Sequence, residues 1–214
     1  MKIHIQNGRL IDPANRLDGH HDLFIADGKI AGVGTAPDGF TAERTIDASG
    51  LVVAPGLIDL AARLREPGFE YKATLESEMD AAMAGGVTSL AIPPDTDPVL
   101  DEPGLVEMLC YRAKKLNRAH VYPVGALTIG LKGQQLSEMA ELVEAGCVAF
   151  SQANTPILDT RVLSRAMQYA ATFGFRVWLQ PIDPHLARGG VAHDGEVASR
   201  LGLPGIPASS EIIA

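Results

Sequence analysis

Residues 54–68 read Ala54-Pro-Gly-Leu-Ile-Asp-Leu-Ala-Ala-Arg-Leu-Arg-Glu-Pro-Gly68, and the rhythm of the chain changes here. Upstream, apolar and polar residues alternate over short runs. Downstream, brief apolar runs are separated by longer helical patterns. Within the stretch, Leu57–Leu60 reads as the first strand of the second pattern. Alternate residues of an extended segment project to the same side. Ala61 and Arg63 therefore fall on one face.

Residues 2–53 read as all-β. Lys2-Ile-His-Ile-Gln-Asn7 has the period of two expected of a half-buried strand. Asp12-Pro13 marks a turn, and Asp22–Ala26 runs into Asp27-Gly28, a dipeptide suited to a tight hairpin. Lys29–Gly34 is the return strand, and Thr45–Asp47 and Leu51–Ala54 add further short ones. Asn7-Gly8 and Ser49-Gly50 are additional turn signals. The expectation is a small antiparallel β-domain over residues 1–54.

From residue 55 to 214 the pattern is α/β. Apolar strands are predicted at Leu57–Leu60, Val87–Ile92, His120–Val124, Cys147–Phe150 and Phe175–Leu179. Helical patterns lie near Thr74–Ala84, Pro103–Leu116, Gln134–Ala145 and Thr160–Phe173. Gly85-Gly86, Gly146 and Gly174 fall just after helix ends, where a left-handed cap favours glycine. Successive βα units of this length imply a parallel sheet, and a (β/α)8 TIM-type barrel is preferred over a doubly wound sheet. No G-x-G-x-x-G follows the first strand, against the dinucleotide-binding alternative. Five strands are counted where a closed barrel has eight, and Ser210–Ala214 reads as the opening of a helix. The expectation is the N-terminal portion of a barrel, about five βα units.

The composition is that of a soluble globular chain, with 46% hydrophobic and 21% charged residues among 214. A net charge of -8 argues against a non-specific nucleic-acid surface, which wants clustered Lys and Arg. The basic run Arg112–Arg118 lies on a predicted helix and reads as a solvated face. Cys110 and Cys147 stand alone in apolar contexts and read as reduced core residues of a cytoplasmic protein. Neither a secretory signal nor an apolar run of membrane-spanning length is seen. Gly189-Gly190 lacks the Gly-Lys-Ser/Thr of a phosphate loop, and no Gly-x-Ser-x-Gly elbow is present. Trp178 and Tyr169 sit on elements expected to pack together, and core is the expected place of both.

Several blocks resemble, in the same order, the N-terminal half of bacterial dihydroorotases of the amidohydrolase superfamily. They are Pro55-Gly-Leu-Ile-Asp59, Leu64-Arg-Glu-Pro-Gly68, Ala84-Gly-Gly-Val-Thr88, Asp95-Thr-Asp-Pro-Val99, Gly125-Ala-Leu-Thr128, Ala145–Ser151 and Leu201–Pro207. The resemblance implies an amidohydrolase barrel with a β-domain, and zinc-assisted interconversion of carbamoyl aspartate and dihydroorotate. Zinc in such enzymes polarises a carbonyl and lowers the pKa of a bound water to about 7.

Carried over residue by residue, the resemblance implies lost metal chemistry. The paired histidines of the family's His-x-His fall on Ala61 and Arg63; a methyl binds nothing, and a guanidinium has no lone pair to donate. The Ser-Asp-Asp-Gly block falls on Ser151-Gln152-Ala153-Asn154, which puts the neutral Gln152 at the acidic position. The histidine of a His-x-Glu-Asp block falls on Gln180. The substrate arginine is retained as Arg65, paired with Glu66 or Asp95 on the folding reading, and the substrate asparagine becomes Asp95. Arg63 is expected to neutralise Asp59 and neighbouring acids in part. Asp59, His185 and His193 are the fallback ligands for a displaced site, with Asp183 and Asp194 beside them, although a solvated loop is the preferred reading. His4, His20 and His21 lie in the β-domain, and His120 begins a strand at the opposite end of the barrel.

The preferred reading is a non-catalytic, metal-free dihydroorotase homologue. By resemblance it serves as a structural subunit for the aspartate transcarbamoylase catalytic subunit, within a homo- or hetero-oligomer. The alternatives are an active zinc-dependent cyclic amidohydrolase with an atypical site, and a metal-free small-molecule binder using Arg65.

Overall fold

The strict alternation of Lys2–Gln6 sets the first strand, β1, in the computed structural model, which describes residues 1–214. It is followed by β2 (Arg9–Asp12), β3 (Leu17–His20), β4 (Leu23–Ala26), β5 (Lys29–Val33), β6 (Arg44–Asp47) and β7 (Val52–Val53). These belong to the first of two units, Met1–Gly56 and Leu57–Ala214. The expected single antiparallel sheet is corrected. There are two sheets, ordered β5-β4-β1-β6 and β3-β2-β7, and in each the last strand runs parallel to its neighbour. Parallel neighbours cannot be joined by a tight hairpin; the long segment 34–43 carries the chain across to β6. Asp27 and Gly28 both take positive φ (53° and 74°), the conformation a two-residue hairpin between β4 and β5 demands. Leu10, Leu23, Phe24 and Ala48 are buried. His4 stacks on Phe24 with ring centroids 4.5 Å apart, and its Nε2 bonds the Asp22 carboxylate at 2.9 Å.

The second unit begins with β8 (Leu57–Asp59) and continues α1 (Leu75–Ala84), β9 (Val87–Ile92), α2 (Pro103–Leu116), β10 (His120–Ala126), α3 (Met139–Glu144), β11 (Ala149–Ser151), α4 (Thr160–Phe173) and β12 (Val177–Trp178). All pairings are parallel and the order is β12-β11-β10-β9-β8. Each strand lies beside its predecessor in sequence, without the reversal that marks a doubly wound sheet. This is a curled run of five βα units, part of a barrel of parallel strands. β8 and β12 form the two edges of the sheet.

Helix ends follow local chemistry. Thr74 and Ser77 form a reciprocal capping box at the start of α1, and the Asp159 carboxylate accepts the Arg161 N–H at 2.8 Å at the start of α4. Leu75, Met79, Leu90, Ile92, Leu100 and Leu109 fill the core under α1 and α2. Val106, Leu127, Met139, Leu142 and Phe150 fill the next one, beneath α2 to α4. Leu105, Leu116 and Leu136 pack at the margins of these cores. Gly125 is required where it stands, because a Cβ there would lie 2.8 Å from the Phe150 ring.

Several boundaries differ from expectation. α3 begins at Met139, not Gln134, because residues 134–138 are tied to the exit of β10, with Leu136 bridged to Thr128. The Ile129 N–H donates to Gln135 O at 2.9 Å, and the Ser137 N–H to Leu127 O at 3.1 Å. β11 and β12 start later than predicted because the first residues of each run close the preceding helix. The Cys147 N–H donates to Leu142 O, and the Phe175 N–H to Ala170 O. Tyr169 and Trp178 each pack against a hydrophobic cluster, but different ones. Tyr169 sits against Phe173 and Phe175, while Trp178 lies over Ala91, Val124 and Ala149. After β12 come β13 (Ala192–His193), α5 (Glu196–Leu201), β14 (Gly205–Ile206) and α6 (Ser209–Ile213), with β13 and β14 paired in parallel. No helix is long and apolar enough to cross a membrane.

Candidate functional site

A cleft of about 250 Å³ opens at the ends of the strands, lined by side chains from four of the five strand exits. Leu60, Ala61 and Arg63 come from the β8 exit, Pro93 from that of β9, Ser151, Ala153 and Asn154 from β11, and Leu179 and Gln180 from β12. Val124 and Trp178 lie within their strands. This is the end at which barrels of parallel strands build their sites.

The β8 exit keeps its alternation beyond the last strand residue. The Ala62 N–H donates to Ala91 O at 2.9 Å, extending the pairing to β9. Ala62 and Leu64 turn inward (9% and 3% exposed), while Ala61 and Arg63 line the cleft. Arg63 Nε donates to Asp95 Oδ2 at 2.8 Å, with both side chains about one-third exposed. The expected neutralisation of Asp59 by Arg63 is thus corrected. Asp59 is exposed, and its Oδ1 accepts the Ala61 N–H at 2.9 Å.

Arg65 is exposed at φ 65° and faces a shallow hollow beside Asp95 and Phe69, outside the main cleft. It pairs with neither Glu66 nor Asp95, contrary to expectation. Glu66 is buried instead: its Oε2 accepts the Leu75 N–H at 2.8 Å and its Oε1 pairs with Arg112. This carboxylate therefore ties the β8–α1 loop to the start of α1 and the side of α2. No local signal marks it, because its cationic partner lies far along the chain. Within the basic run, Arg112 is committed to Glu66, and Arg118 Nε lies 2.8 Å from Asp80.

Gln152 does not face the cleft. It is 1% exposed, and its Nε2 donates to Thr128 Oγ1 at 2.8 Å with its Oε1 3.1 Å from the same hydroxyl. That hydroxyl also accepts the Gly133 N–H at 2.9 Å. Thr128 is completely buried, so the carboxamide and hydroxyl satisfy each other. Ala153, at φ 49°, and Asn154 take the cleft-facing places from that loop. Gln180 is exposed on the rim. Asp183 Oδ1 accepts the backbone N–H groups of His185 and Leu186, forming a local turn. His193 stands on β13, where a loop was expected. No three His, Cys, Asp or Glu side chains converge in a way that could hold a metal ion, so the fallback set of Asp59, His185 and His193 is not assembled.

Residues 50–214 match the family described as dihydro-orotase-like. The chain belongs to the dihydroorotase-like family. It is 51% identical to a dihydroorotase-like protein of Pseudomonas aeruginosa over all of this chain and 51% of that protein. It is 44% identical to a dihydroorotase of Syntrophotalea carbinolica over all of this chain and 50% of that protein. The chain therefore spans about half the length of the curated relatives it matches. An L-hydantoinase (dihydropyrimidinase) from Arthrobacter aurescens shares the fold at a TM-score of 0.74, with 20% identity over 87% of this chain and 42% of that one.

Family membership raises the question of zinc, and the residues that this dihydroorotase-like chain contributes do not suit it. Zinc takes imidazole, thiolate and carboxylate donors. Ala61 has no donor atom, Arg63 brings a permanent positive charge, Gln152 is turned inward and occupied, and Gln180 offers a neutral amide.

Proposed function

We propose that this chain forms part of a dihydroorotase-like protein that works without a hydrolytic zinc centre, as a structural subunit of an assembly with aspartate transcarbamoylase. The observation that carries the reading is Arg63. Its guanidinium stands at the mouth of the strands, held by Asp95, where a like-charged metal ion would be repelled. The packing supports a scaffold role as well, since both large cores lie between the sheet and the helices and depend on no group in the cleft.

The test is made on the full-length protein. Metal analysis after dialysis against excess zinc is expected to find far less than one zinc per chain, and the cyclisation of carbamoyl aspartate should not proceed. Co-purification with the endogenous transcarbamoylase is expected. Stoichiometric, tightly held zinc with chelator-sensitive turnover would replace this reading with that of an active amidohydrolase. Failure to associate would remove the structural role.

A further inference from the structure

The inner face of the curled sheet resolves into layers. Ile58 on β8 pairs with Ser89 on β9, and Ser89 with His120 on β10, so Tyr122 stands two residues beyond the level of Ile58. Val124 pairs with Ala149 on β11, and Phe150 with Val177 on β12. Arg176, just before β12, is therefore level with Val124 and two residues beyond Tyr122. An advance of one residue per strand is the stagger that closes eight parallel strands. Such an interior is filled by three layers of four side chains, each layer drawn from alternate strands. Here Leu60, Val124 and Trp178 belong to the layer at the cleft, and Ala91 and Ala149 to the middle one. Ile58, Tyr122 and Arg176 make up the layer farthest from the cleft, and all three line one hollow of about 300 Å³.

This last layer takes its side chains from the first, third and fifth strands of the barrel, so its fourth member comes from the seventh. The Tyr122 hydroxyl and the Arg176 guanidinium are both hydrogen-bond donors, and Arg176 pairs with no acid of this chain. Since the curated relatives are about twice as long as this chain, they have the length for the remaining strands.

We propose that the fourth member is an aspartate or glutamate, presented by the seventh strand of the complete barrel to Arg176 and Tyr122. Closing the barrel takes the guanidinium out of water, and a buried cation is unfavourable unless paired. A carboxylate is acceptor-only, and its two oxygens can take the guanidinium fork and the phenol together. An apolar residue there would strand both donors. The inference rests on barrel closure alone, independent of zinc and of any assembly.

The test is thermal unfolding of the full-length protein. Its sequence is expected to carry Asp or Glu at the inward position of the seventh strand in this layer. Arg176→Met should lower the unfolding midpoint by several degrees, because it strands the acid, and so should changing that acid to its amide. The double variant strands no charge and should lose less than the sum of the two single losses. A neutral residue at the seventh-strand position, an unchanged or raised midpoint in Arg176→Met, or strictly additive losses would overturn the proposal. Should Arg176→Met fail to fold, the double variant is expected to fold, and failure of both would also refute it.

Discussion

Glu66 offers the most direct check on how the loop carrying Arg63 is held. Its side chain is 4% exposed, whereas that of its partner Arg112 is 50% exposed. Its other oxygen accepts the first N–H of α1 at 2.8 Å. Glu66→Gln keeps an acceptor and nearly the same volume but removes the charge. A charged hydrogen bond contributes about 1.5–3 kcal/mol and a neutral one about 0.5–1.5. The favourable interaction with the helix N-terminus adds a few tenths of a kcal/mol. Arg112 is half in water and regains hydration, so the ion pair itself is counted at under about 1 kcal/mol. The expected cost of Glu66→Gln is about 1–2 kcal/mol. Glu66→Ala also strands the Leu75 N–H and leaves a void, for a total of about 3 kcal/mol. At about 2–4 °C per kcal/mol for a chain of this size, Glu66→Ala should lower Tm by about 6–12 °C. Urea unfolding followed by circular dichroism, with calorimetry alongside, measures both. Equal losses in the two variants, or under 1 kcal/mol for Glu66→Ala, would refute the reasoning.

Three further outcomes are expected. Gln152→Leu should destabilise the chain by about 1–3 kcal/mol, because the buried Thr128 O–H loses its acceptor and keeps only the Gly133 N–H contact. In a denaturation cycle with Thr128→Val, the double variant should lose clearly less than the sum of the two single losses. Ala61→His with Arg63→His should still fail to retain zinc through gel filtration, because Gln152 supplies no anionic ligand, and should cost about 0.5–1 kcal/mol through the unpaired, partly exposed Asp95. Burial, reinforced by neighbouring Cys110, pushes the Cys147 thiol up to about 12 from an ordinary value of 9.0. The folded chain then keeps this proton above pH 9 while the unfolded chain releases it. The associated stability is complete below about pH 9 and falls by up to about 1.4 kcal/mol per pH unit above it. Urea titrations at pH 8 and 10 should show a steeper decline for the wild type than for Cys147→Val.

Much of this molecule was legible in the residues themselves. The change from period two to alternating apolar runs and helical patterns is read from the residues at Pro55, and the chain itself divides into Met1–Gly56 and Leu57–Ala214. The α1, α2 and α4 helices were readable because caps and amphipathic faces are local. The same local logic placed Ala61 and Arg63 side by side in the cleft, since alternation along an extended chain needs no distant partner. Reading failed wherever a distant contact outweighed local preference. Gln134–Glu138 has a helical pattern, yet hydrogen bonds to the β10 exit hold it out of the helix.

The same division runs through the candidate site. Residue identity alone determined that Ala61 brings no donor and that Arg63 brings a permanent cation, because these are properties of the side chains. Which acid Arg63 pairs with, that Gln152 turns inward to Thr128, and that Arg65 lines a neighbouring hollow while Glu66 is buried were decided only in three dimensions. Those outcomes depend on which groups the curled sheet brings within hydrogen-bonding distance and which of them it shields from water. Neither quantity is encoded by spacing along the chain.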